Sequence, residues 1–223
     1  MAVKIQVSNT NSAPQQLSKE AATIQLTALT LLAGAVASVS AAALAPRCKT
    51  GGTFTLIAWK EGSPIDGKTI SATHSKLWVA RPDRGPDERC HDGKLDNGAA
   101  VFLLSGREVL LYGGSDGVST QTLAVHRSGP GKGNLKFFTI VAGLPPPRPF
   151  ETSGWSIERS TPTLFYDGRP FLGCPELDGS YSVYVYYRGL NDRPGGRRDC
   201  VQFDLEAREQ PYPVPCIYSE GPI

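Results

Sequence analysis

From Cys48 onward the apolar residues recur with a period of two or in short unbroken runs, never with the period of about 3.6 of a helix. Val201 to Arg208 (VQFDLEAR) is the cleanest case. Val201, Phe203, Leu205 and Ala207 alternate with Gln202, Asp204, Glu206 and Arg208, which a strand places on opposite faces. Thr53 to Trp59 (TFTLIAW) is rich in β-branched and aromatic residues, and Leu135 to Val141 (LKFFTIV) reads as a strand buried on both faces. Val101 to Leu104 and Val109 to Tyr112 flank Ser-Gly-Arg-Glu, the pattern of a hairpin turn. Ser180 to Tyr187 puts Tyr181, Val183, Val185 and Tyr187 on one face. Clusters of Gly, Pro, Asp and Asn separate these segments. The chain is therefore expected to be all-β.

Aromatic strands near Phe54, Phe102 and Trp155 stand roughly 50 residues apart, each followed by a turn and an apolar strand (Leu77 to Val79, Val109 to Tyr112, Leu164 to Tyr166). This rhythm tips the balance slightly to a β-trefoil over a β-sandwich or irregular barrel. Gly143 to Phe150 (GLPPPRPF) is a polyproline-like connector between sheet segments.

The N-terminal region is of another kind. Leu26 to Ala45 is a continuous apolar, Ala-rich run ending in Ala-x-Ala sites just before Pro46 and Cys48. Small residues at these positions suit signal peptidase, with cleavage after Ala41, Ala42, Ala43 or Ala45. The run is also long enough to span a bilayer, but Ala and Ser favour insertion far less than Leu or Ile. The expected organisation is a secretory leader over residues 1–45 and one extracellular all-β domain over 46–223, with no stable membrane insertion once the leader is removed. Roughly 180 residues remain, enough to bury a core.

In a secreted chain, cysteines are disulfide candidates. There are five: Cys48, Cys90, Cys174, Cys200 and Cys216, none in a CxxC pair. The expected pairs are Cys174 with Cys200, stapling a hairpin, and Cys48 with Cys216, tying the termini, which leaves Cys90 as the free thiol. The formal net charge of +2 supplies no electrostatic case for nucleic acid, and the basic run Arg193 to Arg198 sits among Pro and Gly as a solvated loop. No N-x-Ser/Thr sequon occurs.

Catalytic and cofactor patterns fail on context. Gly113-Gly114-Ser115-Asp116-Gly117 matches the G-x-S-x-G nucleophile elbow, which needs a helix after the serine; Val118 to Val125 reads as a strand. Ser128 to Gly133 resembles a phosphate-binding loop, but His126 stands where the first glycine belongs and Gly133 where Ser or Thr belongs. His74, His91 and His126 lack metal-ligand spacing and read as surface residues. Asp92 to Gly98 lacks EF-hand spacing, and turn chemistry accounts for it. No catalytic residue, metal or cofactor is expected. The aromatic residues Trp59, Trp78, Trp155, Tyr184 and Tyr186 remain as candidates for stacking on sugar rings. Tyr184 and Tyr186 lead because they alternate with Ser182 and Arg188.

From about Cys48 to Tyr218 the chain resembles the fungal cell-wall protein PhiA family, secreted ascomycete proteins linked to phialide and spore development. The resemblance rests on Gly62-Ser63-Pro64-Ile65, and on Arg127 to Gly133 against the family's R-S-G-M-G-Q-G. It rests also on Gly154-Trp155-Ser156-Ile157 against G-W-S-I, Cys174-Pro175, Asp199-Cys200 with Cys216, and the count of five cysteines. Pro130, Lys132 and His126 depart from the family's Met, Gln and Asp; the leader is longer; and His91-Asp92 follows Cys90 in place of Asp-Arg. The resemblance brings no catalytic residues to transfer. It implies a non-enzymatic, secreted or wall-associated protein, and the expectation built on it is a structural protein held by non-covalent contact with wall polysaccharide. A lectin-like module and a secreted effector or allergen are the alternatives.

Overall fold

A computed structural model describes residues 52–81, 88–91, 98–113, 119–141 and 144–221. The leader, Cys48, Ser115, Asp116 and Asp92 lie outside them. Among the described residues, fifteen strands account for nearly all regular structure: β1 (Thr53–Trp59), β2 (Ile70–Thr73), β3 (Lys76–Val79), β4 (Glu88–Cys90), β5 (Val101–Ser105), β6 (Glu108–Leu111), β7 (Ser119–His126), β8 (Leu135–Val141), β9 (Phe150–Glu151), β10 (Trp155–Ile157), β11 (Thr163–Tyr166), β12 (Phe171–Pro175), β13 (Tyr181–Val185), β14 (Val201–Glu209) and β15 (Cys216–Tyr218). The strands read from alternation are present, and all named pairings are antiparallel.

Thirteen strands form one sheet in the order β2-β3-β13-β12-β14-β1-β5-β6-β7-β8, with β10, β11 and β9 branching from it; β15 and β4 form a second, two-stranded sheet. The spine is β14. Its residues 204–209 pair with β1, while its opposite edge pairs first with β12 and then with β11. Phe203, Leu205 and Ala207 are buried on one face as the alternation requires, and Asp204 and Arg208 are exposed. Burying a Phe or Leu side chain contributes about 1.5–3 kcal/mol. A charge at Leu205 would therefore break the seam joining β1, β14 and β11.

The sheet curls until β8 returns to its other end. Phe137 N–H donates to Ser75 O (3.0 Å) in the β2–β3 turn, and Val185 N–H donates to Gly133 O (2.9 Å). Inside the curl, Trp155 lies parallel to Phe171 (6.2 Å) and edge-on to Tyr166 (5.0 Å), while Phe54 stacks on Phe102 (5.9 Å).

These pairings are not those of a β-trefoil. The three aromatic strands behind the rhythm of roughly 50 residues are not equivalent: β1 lies between β14 and β5, β5 between β1 and β6, and β10 pairs only with β11. A similar spacing of aromatic strands arises here because each strand needs core residues, without an architectural repeat. Nor is β8 buried on both faces throughout. Leu135, Phe137 and Phe138 are buried, but Lys136 is half-buried and Val141 at the end is 49% exposed.

Two disulfides brace the body. Cys174 and Cys200 are joined across neighbouring β12 and the approach to β14. Cys216 is joined to Cys90, not to Cys48, and Cys90 is therefore not a free thiol. The register explains this: β15 lies beside β4 with Cys216 directly opposite Cys90, their Cα atoms 4.0 Å apart. Buried Gln121 adds a clamp. Its Nε2 donates to Tyr218 O (2.7 Å), and its Oε1 accepts from Tyr218 N–H (2.9 Å).

Candidate functional site

The glycine-rich segment after β7 and the Gly154-Trp155 pair at the start of β10 meet in a polar node. Arg127 follows β7, and its Nη1 donates to Asp167 Oδ2 (2.6 Å), Tyr166 OH (3.2 Å) and Tyr187 OH (3.4 Å); its Nε pairs with Glu151 (3.1 Å). The Asp167 carboxylate raises the guanidinium pKa further above its ordinary value, with burial acting in the opposite sense. Burial is the largest cause raising the Tyr166 phenol to about 12. Lys132 and Arg169 lie over the Tyr187 ring at 4.7 and 4.4 Å, within cation–π range.

Two glycines let the backbone close on this node. Gly133 has φ +89°, and a Cβ there would press on Asn191 Nδ2 and Val185 O. Gly154 has φ +134°, and its Cβ would stand 2.8 Å from the Tyr166 ring. Buried Asn191 ties the segment to the end of β13: its Nδ2 donates to Val185 O (2.8 Å) and Lys132 O (3.2 Å), and its Oδ1 accepts from Tyr187 N–H (2.6 Å). These side chains are turned onto one another, so the node locks loops together.

The sugar-contact candidates fare differently. Trp155 is 1% exposed and stacked in the core, so it cannot meet a ligand. Tyr184 is 7% exposed, because Arg197 folds over its ring and donates to its hydroxyl (2.8 Å). Alternation put Tyr184 on the outer face, but the Arg193–Arg198 loop covers that face. Tyr186 is half-buried. Of the histidines, His74 and His91 are exposed, whereas His126 is half-buried with its ring edge-on to Phe150 at 5.0 Å. His126 also comes within 2.9 Å of where a Cβ on Gly131 would stand, so a larger residue there would make the imidazole shift. Among the described residues, no three of His, Cys, Asp and Glu cluster to hold a metal ion. No helix among them is long and apolar enough to cross a membrane.

Two concave surfaces carry the remaining tryptophans. Trp59, at the outer end of β1, is 60% exposed over a shallow cleft of about 330 Å³ with Glu61, Asp66, Glu206 and Arg208. Asp66 Oδ1 accepts from Lys60 N–H (2.9 Å), and Arg208 pairs with Glu206 (2.9 Å), so the polar rim is held in place. The second cleft, about 540 Å³, opens at the seam where β8 returns to β3, and its lining includes Lys76, Trp78, Arg81, Lys136 and Asp178. Strand alternation places Lys76 and Trp78 on the outer face of β3, while Leu77 and Val79 are buried. The Trp78 indole N–H donates to Thr73 O (3.1 Å), which fixes the ring. Sequence reasoning ranked these two tryptophans below the tyrosines. The available signal was their position: Trp59 ends its strand, and Trp78 alternates with Lys76.

Two curated relatives match over most of the chain, both described as cell wall protein phiA. The one from Emericella nidulans is 29% identical over 197 residues, and the one from Aspergillus fumigatus 29% identical over 204. Each match covers 88% of this chain and the whole of the relative. No solved structure matches the chain. The model of the PhiA-like secreted proteins matches residues 54–219, from β1 through β15 and across the whole Arg127 node, and the chain belongs to that secreted family.

Proposed function

We propose that this protein is a non-enzymatic structural component of the cell wall, held there by non-covalent contact of the Trp59 shelf with wall polysaccharide. The observation that carries this reading is the exposure of Trp59, at 60%, beside Glu61, Asp66 and Glu206. An exposed indole offers an apolar plane for the C–H face of a pyranose, and neighbouring carboxylates accept bonds from its hydroxyls; pockets of this kind combine an apolar plane with a few fixed polar groups. A sheet braced by two disulfides suits a protein that must persist outside the cell. The names of the relatives, cell wall proteins matched over their full length, support the location.

The test is fractionation of the tagged protein into culture medium, detergent-extractable wall and covalently bound wall. Recovery in the extractable wall fraction is expected, with the Trp59→Ala variant shifting to the medium. Recovery of the wild type wholly in the medium would overturn the reading in favour of a diffusible lectin or effector.

A further inference from the structure

The tryptophans differ in what lies against their rings. Trp155 packs on Phe171 and Tyr166, and Trp78 carries Lys76 Nζ at 5.6 Å and Arg81 Cζ at 5.9 Å from its ring centre. Trp59 is 60% exposed, and among the described residues no ring or cation lies over its indole. Strand register decides which groups share its face. Along β1 and β14, Trp59 pairs with Asp204 and Ile57 with Glu206. Residues directly opposite in an antiparallel pair point the same way, with Cβ atoms about 4.5–5.5 Å apart, so exposed Asp204 stands beside the indole. The turn after β1 brings Glu61 and Asp66 into the same cleft.

The charges around this indole do not cancel. Arg208 is the cation of the described lining, and Glu206 engages it at 2.9 Å, so that pair is neutral. Asp66 Oδ1 accepts from Lys60 N–H (2.9 Å), a neutral donor that orients the carboxylate and leaves its charge in place. Glu61 and Asp204 form no ion pair among the described residues. An indole face is itself the negative side of a quadrupole, and an ammonium group over such a face is attracted to it. The open ring and the three carboxylates around it therefore favour the same sign of ligand. A pyranose bearing an ammonium group satisfies both features, with its C–H face on the indole and its charge among Glu61, Asp66 and Asp204. A neutral sugar uses the plane alone, and an acidic sugar is repelled.

We propose that the Trp59 shelf selects amino sugars, binding a polysaccharide through the protonated amine of a glucosamine-type unit. The polysaccharide part rests on the wall-contacting reading above; the choice of a cationic unit rests on the open indole and the unpaired carboxylates.

Isothermal titration of the purified disulfide-bonded protein with a β-1,4-linked glucosamine tetramer, its N-acetylated counterpart, a β-1,4-linked glucose tetramer and tetralysine tests it. The glucosamine tetramer should bind about tenfold tighter than the two neutral tetramers, and the preference should fade with added salt or once the pH deprotonates the ligand's amines. Glu61→Gln and Asp204→Asn should each weaken its binding about two- to fivefold, the size of an exposed ion pair, while Glu61→Asp retains it. Trp59→Ala should lose it. Equal binding of amino and neutral tetramers, or carboxamide variants that bind as the wild type does, would overturn the proposal. Tetralysine binding as tightly as the glucosamine tetramer would overturn its saccharide part in favour of a basic peptide. Wall recovery that depends on Trp59 without a preference for the amine sinks this inference and leaves the wall reading standing; the preference without wall recovery does the reverse.

Discussion

Removing one disulfide at a time separates their contributions cleanly. Cys90 and Cys216 are 126 residues apart in sequence, and Cys174 and Cys200 are 26 apart. If a crosslink acts by shrinking the unfolded ensemble, the first contributes about 5 kcal/mol at 25 °C and the second about 3.5 kcal/mol. The shorter loop is nested inside the longer and reduces its effective length to about 100 residues. Because the dependence is logarithmic, that lowers the larger figure by only about 0.2 kcal/mol. Packing around the sulfurs is similar in the two cases, since each bridge joins one buried cysteine (Cys216 at 4%, Cys174 at 0%) to one half-buried partner. The Cys90→Ala/Cys216→Ala protein should therefore be less stable than Cys174→Ala/Cys200→Ala by about 1–1.5 kcal/mol, or about 2–6 °C in Tm for a domain of this size. Urea unfolding followed by tryptophan fluorescence reads the difference, with Trp155 in the core as reporter. Equal losses, or a greater loss from the short loop, would refute the chain-entropy argument. A non-reduced peptide map showing Cys216 joined to Cys48 would refute the connectivity beneath it.

Gly133→Ala should destabilise by more than the roughly 1–2 kcal/mol that a left-handed φ costs any L-residue, because its Cβ also meets Asn191 and the Val185 carbonyl. Gly62→Ala, at φ +74° with nothing within 4 Å, should cost only that strain; equal urea midpoints for the two would discount the packing argument. Burial raises the phenol pKa of Tyr166 to about 12, and raises those of Tyr187 and Tyr218 as well. The unfolded chain ionises these groups near pH 10 and the folded chain does so later, so the stability they contribute is complete below about pH 10 and is lost as pH climbs toward 12. Tyrosinate absorbance should show some of the eight tyrosines lagging until unfolding, and a single transition near pH 10 in the folded protein would contradict this.

The positions of β1, β5, β6, β8, β11 and β14 were legible in sequence because side-chain alternation is local: it follows from the backbone of one strand. The family signature was legible too, and the structure supplies its physical content. Arg127, Gly133, Gly154 and Trp155 form one packed node joining loops that sequence order keeps apart. Alternation also gave β13 two faces, whereas it is the structure that places Lys76 and Trp78 together on the outer face of β3.

What alternation leaves open is which face another segment covers. Tyr184 read as the outward residue of a good strand and Trp59 did not, yet Arg197 caps the first while the second stays open to solvent. Cys90 and Cys216 became partners only because β4 and β15 pair in that register. The cleft at the β3–β8 seam exists only because the sheet curls far enough to bring Lys136 to Trp78. Sequence alone thus determined where strands begin and end and which residues share a face. Pairing, covering and curvature belong to the tertiary structure, because they depend on contacts between residues more than a hundred positions apart in the case of β4 with β15.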